Sequence, residues 1–448
     1  MISRIDAGSG DPARPHPRDW QNWGMAQAIT PPRGMRDFLP AEKATRERAL
    51  GIIRRSYTAH GFDEIETPVM EDIERLHSGL GGDNEKLSFS VMKRALTTTD
   101  LQEAVEFEAP EFLADLGLRF DLTVPLARFY ASHRGELPSV FRSIQIAPVW
   151  RAERPQKGRY RQFVQCDIDI IGEPGQLAEA EIITATLATL DELGLEGCTI
   201  RINDRRLLTA MLDVFGFAPA EHPQVLITVD KLDKVGQDGV VAELRERAVT
   251  PAAVDALDAF FHRITTKEFN PFGVRAITKV LPAGVDPELI AELAALAEVV
   301  DKAHLQFDPF LVRGMGYYTG TIFEIAHPDF PFSLGGGGRY DGMIGRFLGT
   351  DVAACGFSIG FERIVDLLEA SVVGAPDALL LLHEASATPA QLVGLKTQLI
   401  ASGTRVRLER RTKNTKAQLE RAAAAGFTSF AFVGPDTHAE ADLEVKAI

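Results

Sequence analysis

Cationic side chains stand out in this sequence because of where they lie. Five of them fall in the stretch WRAERPQKGRYRQFVQCDIDI, residues 150–170: Arg151, Arg154, Lys157, Arg159 and Arg161. Arg313 lies in LVRGMGYYTG, and Arg363 follows GFSIGFE. A guanidinium group binds phosphate through two parallel hydrogen bonds. Arginines from three separate elements could therefore hold a bent triphosphate, whereas each one taken alone fits an ion pair at a solvated surface.

The motifs that usually carry a nucleophile, a metal or a nucleotide are absent from the sequence. There is no GxxxxGK[ST], and GGGGRYDG does not have the GxGxxG spacing of dinucleotide folds. No GxSxG, HExxH or paired metal-ligand histidine spacing occurs either. Arginine and glycine remain as the residues that carry chemistry.

Composition narrows the class of protein. The chain has 448 residues, 45% of them hydrophobic and 25% charged, which is typical of a globular protein of about three domains. A net charge of -15 argues against a protein that coats nucleic acid along its whole surface. Because salt screens each charge beyond about 8 Å, a local basic site for nucleic acid is still compatible with this net charge. Three cysteines without a CxxC pair favour a reducing compartment. With no apolar run of about 20 residues and no signal peptide, the sequence predicts a cytoplasmic protein without a membrane partner.

The first half of the chain must position the basic stretch. Residues 1–28 show no period and predict a disordered extension. The region 29–214 begins with a helical pattern that Gly61 is suited to end. Two alternating segments, SVFRSIQIAPVWR and QFVQCDIDIIG, flank the cations and predict a long antiparallel hairpin with a charged loop.

The second half changes pattern three times. Residues 215–305 carry amphipathic periods and predict a mostly helical insertion, and strand-like segments return in 306–370. Residues 376–448 alternate strand and helix, which predicts a separate domain with a small parallel sheet. In that domain Thr388 is predicted to cap a helix, and Thr415 with Gln418 is predicted to form a capping box.

Five motifs in order resemble those of histidyl-tRNA synthetases, which are class II aminoacyl-tRNA synthetases. VWRAERPQKGRYRQFVQCDIDIIG resembles motif 2, GFSIGFER resembles motif 3, and GFDEIETPVME lies where motif 1 would end. LVRGMGYYTGTIFEI and SLGGGGRYDGMIGRF resemble the two stretches peculiar to the histidine enzyme. The similarity runs from about residue 32 to the C-terminus.

The resemblance implies both a fold and a reaction. The fold class would be α/β: an α+β catalytic domain with an antiparallel sheet, the helical insertion, and a C-terminal α/β anticodon-binding domain with a small, mainly parallel sheet. The activity would be that of a histidine–tRNA ligase, which forms histidyl-adenylate from L-histidine and ATP and transfers the histidyl group to tRNA(His). Mg²⁺ would accompany ATP, with the number and ligands of the ions left open. The motif 1 region implies a homodimer.

The resemblance also assigns roles around ATP. Arg151 would hold the α-phosphate, Arg159 would reach the outer phosphates, and Arg363 would clamp the triphosphate. Arg313 matches an additional catalytic arginine, and Glu153 matches the contact on the adenine side.

Histidine recognition can be argued from the imidazole ring. A neutral ring offers one donor and one acceptor, which suits a carboxylate at one nitrogen and a hydroxyl at the other. By resemblance, Asp169 and Tyr317 take these positions. Acceptors for the α-ammonium group and residues that shape the pocket are assigned in the same way: Asp121, Thr123 and Gln165 for the former, and Tyr318, Gly336, Gly337 and Gly338 for the latter. The glycines are expected because a side chain would obstruct the ligand. A charge at a strand end and core tyrosines are the alternative interpretation of Asp169 and Tyr317.

Two positions depart from the family pattern. Gly316 replaces an acidic residue before the tyrosines, and Val164 stands where His or Tyr is common and would alter the pocket wall. Gly316 is the one feature that supports an alternative, a non-catalytic relative that senses histidine or regulates a partner enzyme. The basic residues of the C-terminal domain suit phosphate contacts with tRNA, with a solvated helix start as the alternative: Arg405, Arg407, Arg410, Arg411, Lys413 and Lys416.

Overall fold

A computed structural model describes most of the chain. The described ranges are 29–77, 87–155, 158–264, 270–312, 317–368 and 378–448. The predictions for residues 1–28, Lys157, Arg313 and Gly316 lie outside these ranges. None of the helices within them is long and apolar enough to cross a membrane.

Sixteen strands are described. In chain order they are β1 (Asp63–Glu64), β2 (Met70–Asp72), β3 (Phe89–Met92), β4 (Ala114–Leu118), β5 (Phe141–Trp150), β6 (Gln162–Ile171), β7 (Thr199–Asp204), β8 (Asn270–Pro271), β9 (Leu305–Phe307), β10 (Thr321–His327), β11 (Phe330–Arg339), β12 (Ala354–Ile359), β13 (Ala378–His383), β14 (Arg405–Arg410), β15 (Ser429–Val433) and β16 (Lys446–Ala447).

Fifteen α-helices are described between and around these strands. They are α1 (Pro40–Ala59), α2 (Ile73–His77), α3 (Thr98–Glu106), α4 (Thr123–His133), α5 (Leu177–Glu192), α6 (Arg205–Phe215), α7 (His222–Val229), α8 (Leu232–Glu246), α9 (Pro251–Arg263), α10 (Val274–Val280), α11 (Pro287–Ala294), α12 (Asp341–Leu348), α13 (Phe361–Leu368), α14 (Pro389–Ala401) and α15 (Thr415–Ala424).

A nine-stranded sheet within the described residues forms the centre of the first 368 residues. Its order is β1-β5-β6-β12-β11-β10-β7-β9-β8, and its pairs are antiparallel except for β1 with β5 and β7 with β9. This matches the predicted α+β architecture with an antiparallel sheet. A smaller three-stranded sheet, β2-β4-β3, lies beside α2 and α3 in the sequence.

The predicted hairpin is present as β5 and β6. Phe141 lies opposite Ile171, and the pairing continues without interruption to Trp150 opposite Gln162. Side chains of a strand point alternately to the two faces of its sheet. On β6 the buried Ile168 and Ile170 face the main apolar core, to which α1 and α5 also contribute.

The helical stretch predicted at 215–305 contains two different packings. Its first part, with residues such as Val225 and Leu244, forms a separate apolar cluster. Its later part, including Phe272 and Leu293, belongs to the main core, and β8 and β9 extend the central sheet. The second part is therefore packed as part of the sheet-bearing unit.

The C-terminal residues form a four-stranded sheet, β14-β13-β15-β16, whose first three strands are parallel. The side chain of Thr388 accepts a hydrogen bond from the backbone N–H of Gln391, as predicted for its helix cap. The prediction that Thr415 caps α15 is wrong, because Asn414 accepts from the backbone N–H of Ala417 one turn inside the helix. Asn is a stronger N-cap residue than Thr, and here it lies one position earlier.

Glu362 connects three parts of the unit that contains the nine-stranded sheet through one buried carboxylate. It accepts hydrogen bonds at 2.6 and 2.8 Å from the buried guanidinium of Arg46 in α1. It also accepts from Arg36 and, at 3.1 Å, from the backbone N–H of Val164 in β6. Because Glu362 lies in α13, these contacts fix the distance between α1, β6 and the start of α13.

Glu362→Gln is expected to destabilise the protein strongly. Loss of one partner leaves the Arg46 charge buried without compensation, which typically costs about 3–5 kcal/mol. The midpoint and slope of urea unfolding, followed by circular dichroism, would measure the change.

Glu47→Gln is the matched control, because Glu47 pairs with Lys43 on the exposed face of the same helix. An exposed pair of this kind contributes about 0.5 kcal/mol or less. Equal effects of the two substitutions would contradict the structural role given to Glu362.

Candidate active site

A cavity of about 270 Å³ opens on the face of the sheet formed by β6, β11 and β12. Its wall combines acids, arginines, tyrosines and glycines. The lining residues are Asp121, Thr123, Arg151, Phe163, Gln165, Asp167, Asp169, Tyr317, Tyr318, Ser333, Gly335, Gly336, Gly337, Tyr340, Gly356, Phe357, Ser358, Gly360 and Arg363.

Most residues predicted from the sequence meet at this cavity, although they are up to 242 positions apart in the chain. Those that line it are Asp121, Thr123, Arg151, Gln165, Asp169, Tyr317, Tyr318, Gly336, Gly337 and Arg363. Glu153, Arg159 and Gly338 are not among the lining residues. Arg313 lies outside the described residues.

Two arginines of the cavity are held by backbone oxygens. Arg151, directly after β5, donates from Nε to the carbonyl of Phe120 at 2.9 Å, and its guanidinium lies 5.0 Å from the ring centre of Phe163. Arg363, in the first turn of α13, donates to the carbonyl of Ser333. A hydrogen bond to a backbone carbonyl thus orients each of these two guanidinium groups.

The described part of the hairpin loop holds the other predicted cations. Arg159 pairs with Glu153 across 3.3 Å, and both side chains are partly exposed. Arg161 donates from Nε to the carbonyl of Glu153 at 2.9 Å, and its backbone N–H donates to the carbonyl of Gly34. The loop is therefore anchored to the segment that precedes α1.

Three carboxyl groups face one another in the cavity. Burial raises the pKa of Asp121 to about 6, against the opposing effect of a hydrogen bond from the backbone of Val124 and the charge of Arg151. Burial also raises the pKa of Asp169 to about 7, with repulsion from Asp121 in the same direction. Asp167 has a pKa well above the usual range, because of burial and then repulsion from Asp169. The cavity therefore favours a cation.

Asp169 has a phenol as its partner. Tyr340, at the end of β11, donates its hydroxyl to Oδ1 of Asp169 at 2.6 Å. The predicted tyrosines Tyr317 and Tyr318 are half-buried beside it, with ring centres 4.3 Å apart. A carboxylate and tyrosine side chains thus lie together in the cavity, and their assignment to the two nitrogens of an imidazole stays a prediction.

Two of the predicted glycines of β11, Gly337 and Gly338, have a physical reason in the packing of the sheet, and the expected clearance for a ligand stays a prediction. A Cβ on Gly337 would lie 2.0 Å from the carbonyl oxygen of Gly356 in β12, and one on Gly338 would lie 2.5 Å from that of Thr321 in β10. These glycines permit close approach of neighbouring strands. Gly356 is similar, since its Cβ would lie 1.9 Å from Oδ1 of Asp169.

A comparison with protein families decides where the chain belongs. The model of the histidyl-tRNA synthetase family matches residues 34–364. The chain belongs to the histidyl-tRNA synthetase family. A histidine–tRNA ligase of Leifsonia xyli subsp. xyli is 63% identical over 95% of this chain and 99% of its own. A probable histidine–tRNA ligase of Tropheryma whipplei is 46% identical over 91% of this chain and 96% of its own.

Solved structures share the fold of this family member. Histidyl-tRNA synthetase from Nostoc sp. PCC 7120 has a TM-score of 0.71 at 25% identity, covering 94% of each chain. A chain from Bacillus halodurans C described as an ATP phosphoribosyltransferase regulatory subunit/histidyl-tRNA synthetase has a TM-score of 0.70 at 21% identity, covering 91% of this chain and 99% of its own. The second likeness concerns the fold alone.

Side chains of β6 point alternately to the cavity and to the core. This explains one cavity residue that the sequence analysis of this synthetase-family chain missed and one prediction that was wrong. Gln165, Asp167 and Asp169 line the cavity. The resemblance assigned Gln165 and Asp169, and the period of two of a strand was the signal in the sequence that could have added Asp167. Val164 was expected to alter the pocket wall, but it packs against the main core on the other face. Tyr340 gave no such signal, because its contact with Asp169 depends on the pairing of distant strands.

Asp169→Asn is expected to make the empty protein more stable at pH 8 than the unmodified chain. The folded-state pKa of about 7 lies above the unfolded value, so the folded state holds its proton more tightly. Stability from this group is present at low pH and is lost as pH rises through about 7. Asn cannot ionise, and the gain at pH 8 should be about 1 kcal/mol or more, since one pKa unit corresponds to about 1.4 kcal/mol.

Urea unfolding at pH 5 and pH 8 would measure this difference. Asp115→Asn, an exposed position on β4, is the control, and its effect on stability relative to the unmodified chain should be small and the same at both pH values. If Asp169→Asn lost stability equally at both pH values, the raised pKa would not describe this site.

Proposed function

We propose that this chain is a histidine–tRNA ligase that activates L-histidine with ATP and transfers the histidyl group to tRNA(His). The observation that carries the proposal is the joining of arginines and buried acids in one cavity. Arg151 and Arg363 suit the phosphates, while Asp121 and Asp169 suit an amino acid that carries a cation and a ring N–H. Family membership and the 63% identical histidine–tRNA ligase support the same activity.

The first step needs positioning and charge neutralisation more than a protein nucleophile. A carboxylate oxygen of histidine attacks the α-phosphorus of ATP, the new P–O bond forms, and the bond to pyrophosphate breaks. Arg151 would stabilise charge on the α-phosphate, and Arg363 would bind the outer part of the triphosphate. Arg313 would contact the reacting carboxylate and phosphate. Orientation by fixed cations lowers the barrier because fewer motions must be restricted on the way to the transition state.

The site would recognise histidine through both its imidazole ring and its α-ammonium group. Asp169, whose carboxylate Tyr340 orients, would accept from one ring nitrogen, and Tyr317 would donate to the other. Asp121, Thr123 and Gln165 would accept from the α-ammonium. A substrate without the ring would leave buried polar groups unpaired, which can discriminate by about 10⁴-fold.

Glu153 and Arg159, in the loop between β5 and β6, would reach the nucleotide only when ATP is bound. Glu153 and Arg159 pair with each other and lie outside the cavity lining. We expect ATP to separate them, with Arg159 moving to the outer phosphates and Glu153 to the adenine side. An exposed ion pair of this type contributes about 1 kcal/mol or less, so its rupture is a small cost.

Mg²⁺ would enter with the triphosphate. Among the described residues no group of three or more His, Cys, Asp or Glu side chains could hold a metal ion. Mg²⁺ in nucleotide sites is bound mainly by phosphate oxygens and water, with one or two carboxylates. The ion would neutralise charge on the phosphates.

The remaining partners follow from the domain arrangement proposed for the family. The C-terminal sheet would bind the anticodon part of tRNA, where Arg405 and Arg407 lie 4.6 and 4.5 Å from the ring centre of Phe427. Such stacked cations suit phosphate and base contacts. A homodimer formed through the motif 1 region and a cytoplasmic location complete the proposal. The regulatory alternative is not favoured, because residues of both substrate sites are retained in a chain 63% identical to a ligase.

Amino-acid-dependent exchange between ATP and pyrophosphate tests the first step. With purified protein and each of the twenty amino acids in turn, we expect exchange with histidine and background rates with the others. Exchange with a different amino acid would contradict the proposal, and so would its absence in a folded protein that binds histidine.

Matched variants connect the exchange to the cavity. Arg151→Ala should lower the rate by about 10²-fold or more, the size expected when a donor to developing charge is removed. Arg142 lies on the same hairpin but pairs with Glu181 away from the cavity, so Arg142→Ala should retain nearly the full rate.

A further inference from the structure

The side-chain amide of Gln165 has one of its two ends already occupied. Its Nε2 donates to the hydroxyl of Ser358 at 3.1 Å and approaches Oδ2 of Asp167 at 3.3 Å. Once ionised, the carboxylate of Asp167 can only accept hydrogen bonds, and an ammonium group bound beside it favours that form, so it then selects the amide nitrogen rather than the oxygen. Gln165 is itself buried, with 8% of its surface exposed.

The other end of the amide has no partner. Oε1 of Gln165 is a buried oxygen with no hydrogen-bond partner among the residues that the structure describes, and Gln165 lines the cavity. A buried acceptor left unpaired costs about 1–3 kcal/mol, so a bound donor would recover that energy. The acceptor end of this amide is therefore the end left for a donor from a ligand bound in the cavity that Gln165 lines.

The two residues that hold the nitrogen are fixed by the sheet. Asp167 of β6 and Ser358 of β12 lie directly opposite each other in the strand register. On the other side of Asp167, Gln145 of β5 is its register partner, but Gln145 donates to the carbonyl of Leu122. Asp167 and Ser358 are thus available to Gln165 in a position set by backbone pairing.

A reversed amide would be unfavourable on both sides. Its oxygen would face the acceptors of Asp167, and its N–H groups would face an incoming ammonium. The nearby acids Asp121 and Asp169 supply attraction for a cation but do not fix its direction as a third acceptor does. Contacts with Asp167 and Ser358 therefore favour one of the two orientations of the Gln165 amide.

We propose that Asp167 and Ser358 are positioning residues that hold the Gln165 amide with its oxygen toward the α-ammonium of the substrate, and so set selectivity for an amino acid over an analogue without that group. The inference rests on the proposed function, since it takes histidine as the ligand. It assigns a positioning role to two cavity residues that act on the substrate through Gln165.

The test compares two ligands that differ only in the ammonium group. Dissociation constants for L-histidine and imidazolepropionate, measured by calorimetry with displacement where binding is weak, give the selectivity ratio. Ser358→Ala removes one acceptor without changing charge, and Asp167→Asn lets the amide turn, because Asn offers both a donor and an acceptor. Each should lower the ratio by about tenfold, the size of one hydrogen bond to a charged group. Affinity for imidazolepropionate should stay the same.

A matched control and a second background separate positioning from general damage. Ser143 of β5 is buried and its hydroxyl has no hydrogen-bond partner, so Ser143→Ala should leave the ratio unchanged. In Gln165→Ala, further substitution of Ser358 or Asp167 should have no additional effect on the ratio.

The outcomes distinguish the inference from the function on which it rests. Equal affinity of the unmodified chain for both ligands would overturn both. High selectivity that Ser358→Ala and Asp167→Asn retain would overturn the inference alone. An effect of Asp167→Asn that persists in Gln165→Ala would also overturn it, because the charge would then act directly on the ligand.

Discussion

The buried carboxylate of Glu362 is the contact on which the geometry of the site depends. It is bound by Arg46 from α1 and by the backbone of Val164 from β6. Its neighbour in sequence is Arg363, and the neighbour of Val164 is Gln165, both of which line the cavity. One carboxylate thus fixes the helix that carries a proposed phosphate ligand against the strand that carries a proposed amino-acid ligand. A charge buried this deeply is stable only with its partner, so the arrangement has little freedom to vary.

The buried polar groups of the empty cavity lower the stability of the folded protein. Asp121 and Asp169 have raised pKa values because they are buried, and the oxygen of Gln165 is buried with no partner among the described residues. A ligand that brings a cation and N–H donors would offset these costs. The missing side chain of Gly356 leaves the space that Oδ1 of Asp169 occupies. Stability is thereby exchanged for recognition, as is common at functional sites.

The sequence predicted the parts of this structure that depend on local pattern. The alternating pattern of the two strands and the cations between them predicted the hairpin. The order of the motifs predicted the family, the antiparallel sheet and most of the residues that line the cavity. Contacts between distant elements were not predictable: nothing local pairs Tyr340 with Asp169, or Arg46 with Glu362. The interpretation of Val164 was wrong because comparison of motifs does not show which face of the sheet a residue is on. Neighbouring residues of a strand point to opposite faces, so Val164 lies on the core side while Gln165 lies on the cavity side.

Transfer of labelled L-histidine to tRNA is the measurement that tests the central claim most directly. The reaction contains purified protein, ATP, Mg²⁺ and a tRNA(His) transcript, and the acid-precipitable label is followed with time. The account predicts charging of tRNA(His) with histidine and none of a tRNA with a different acceptor end and anticodon. Absence of charging by a folded protein that binds histidine and ATP would contradict it, because the cavity would then serve sensing or regulation.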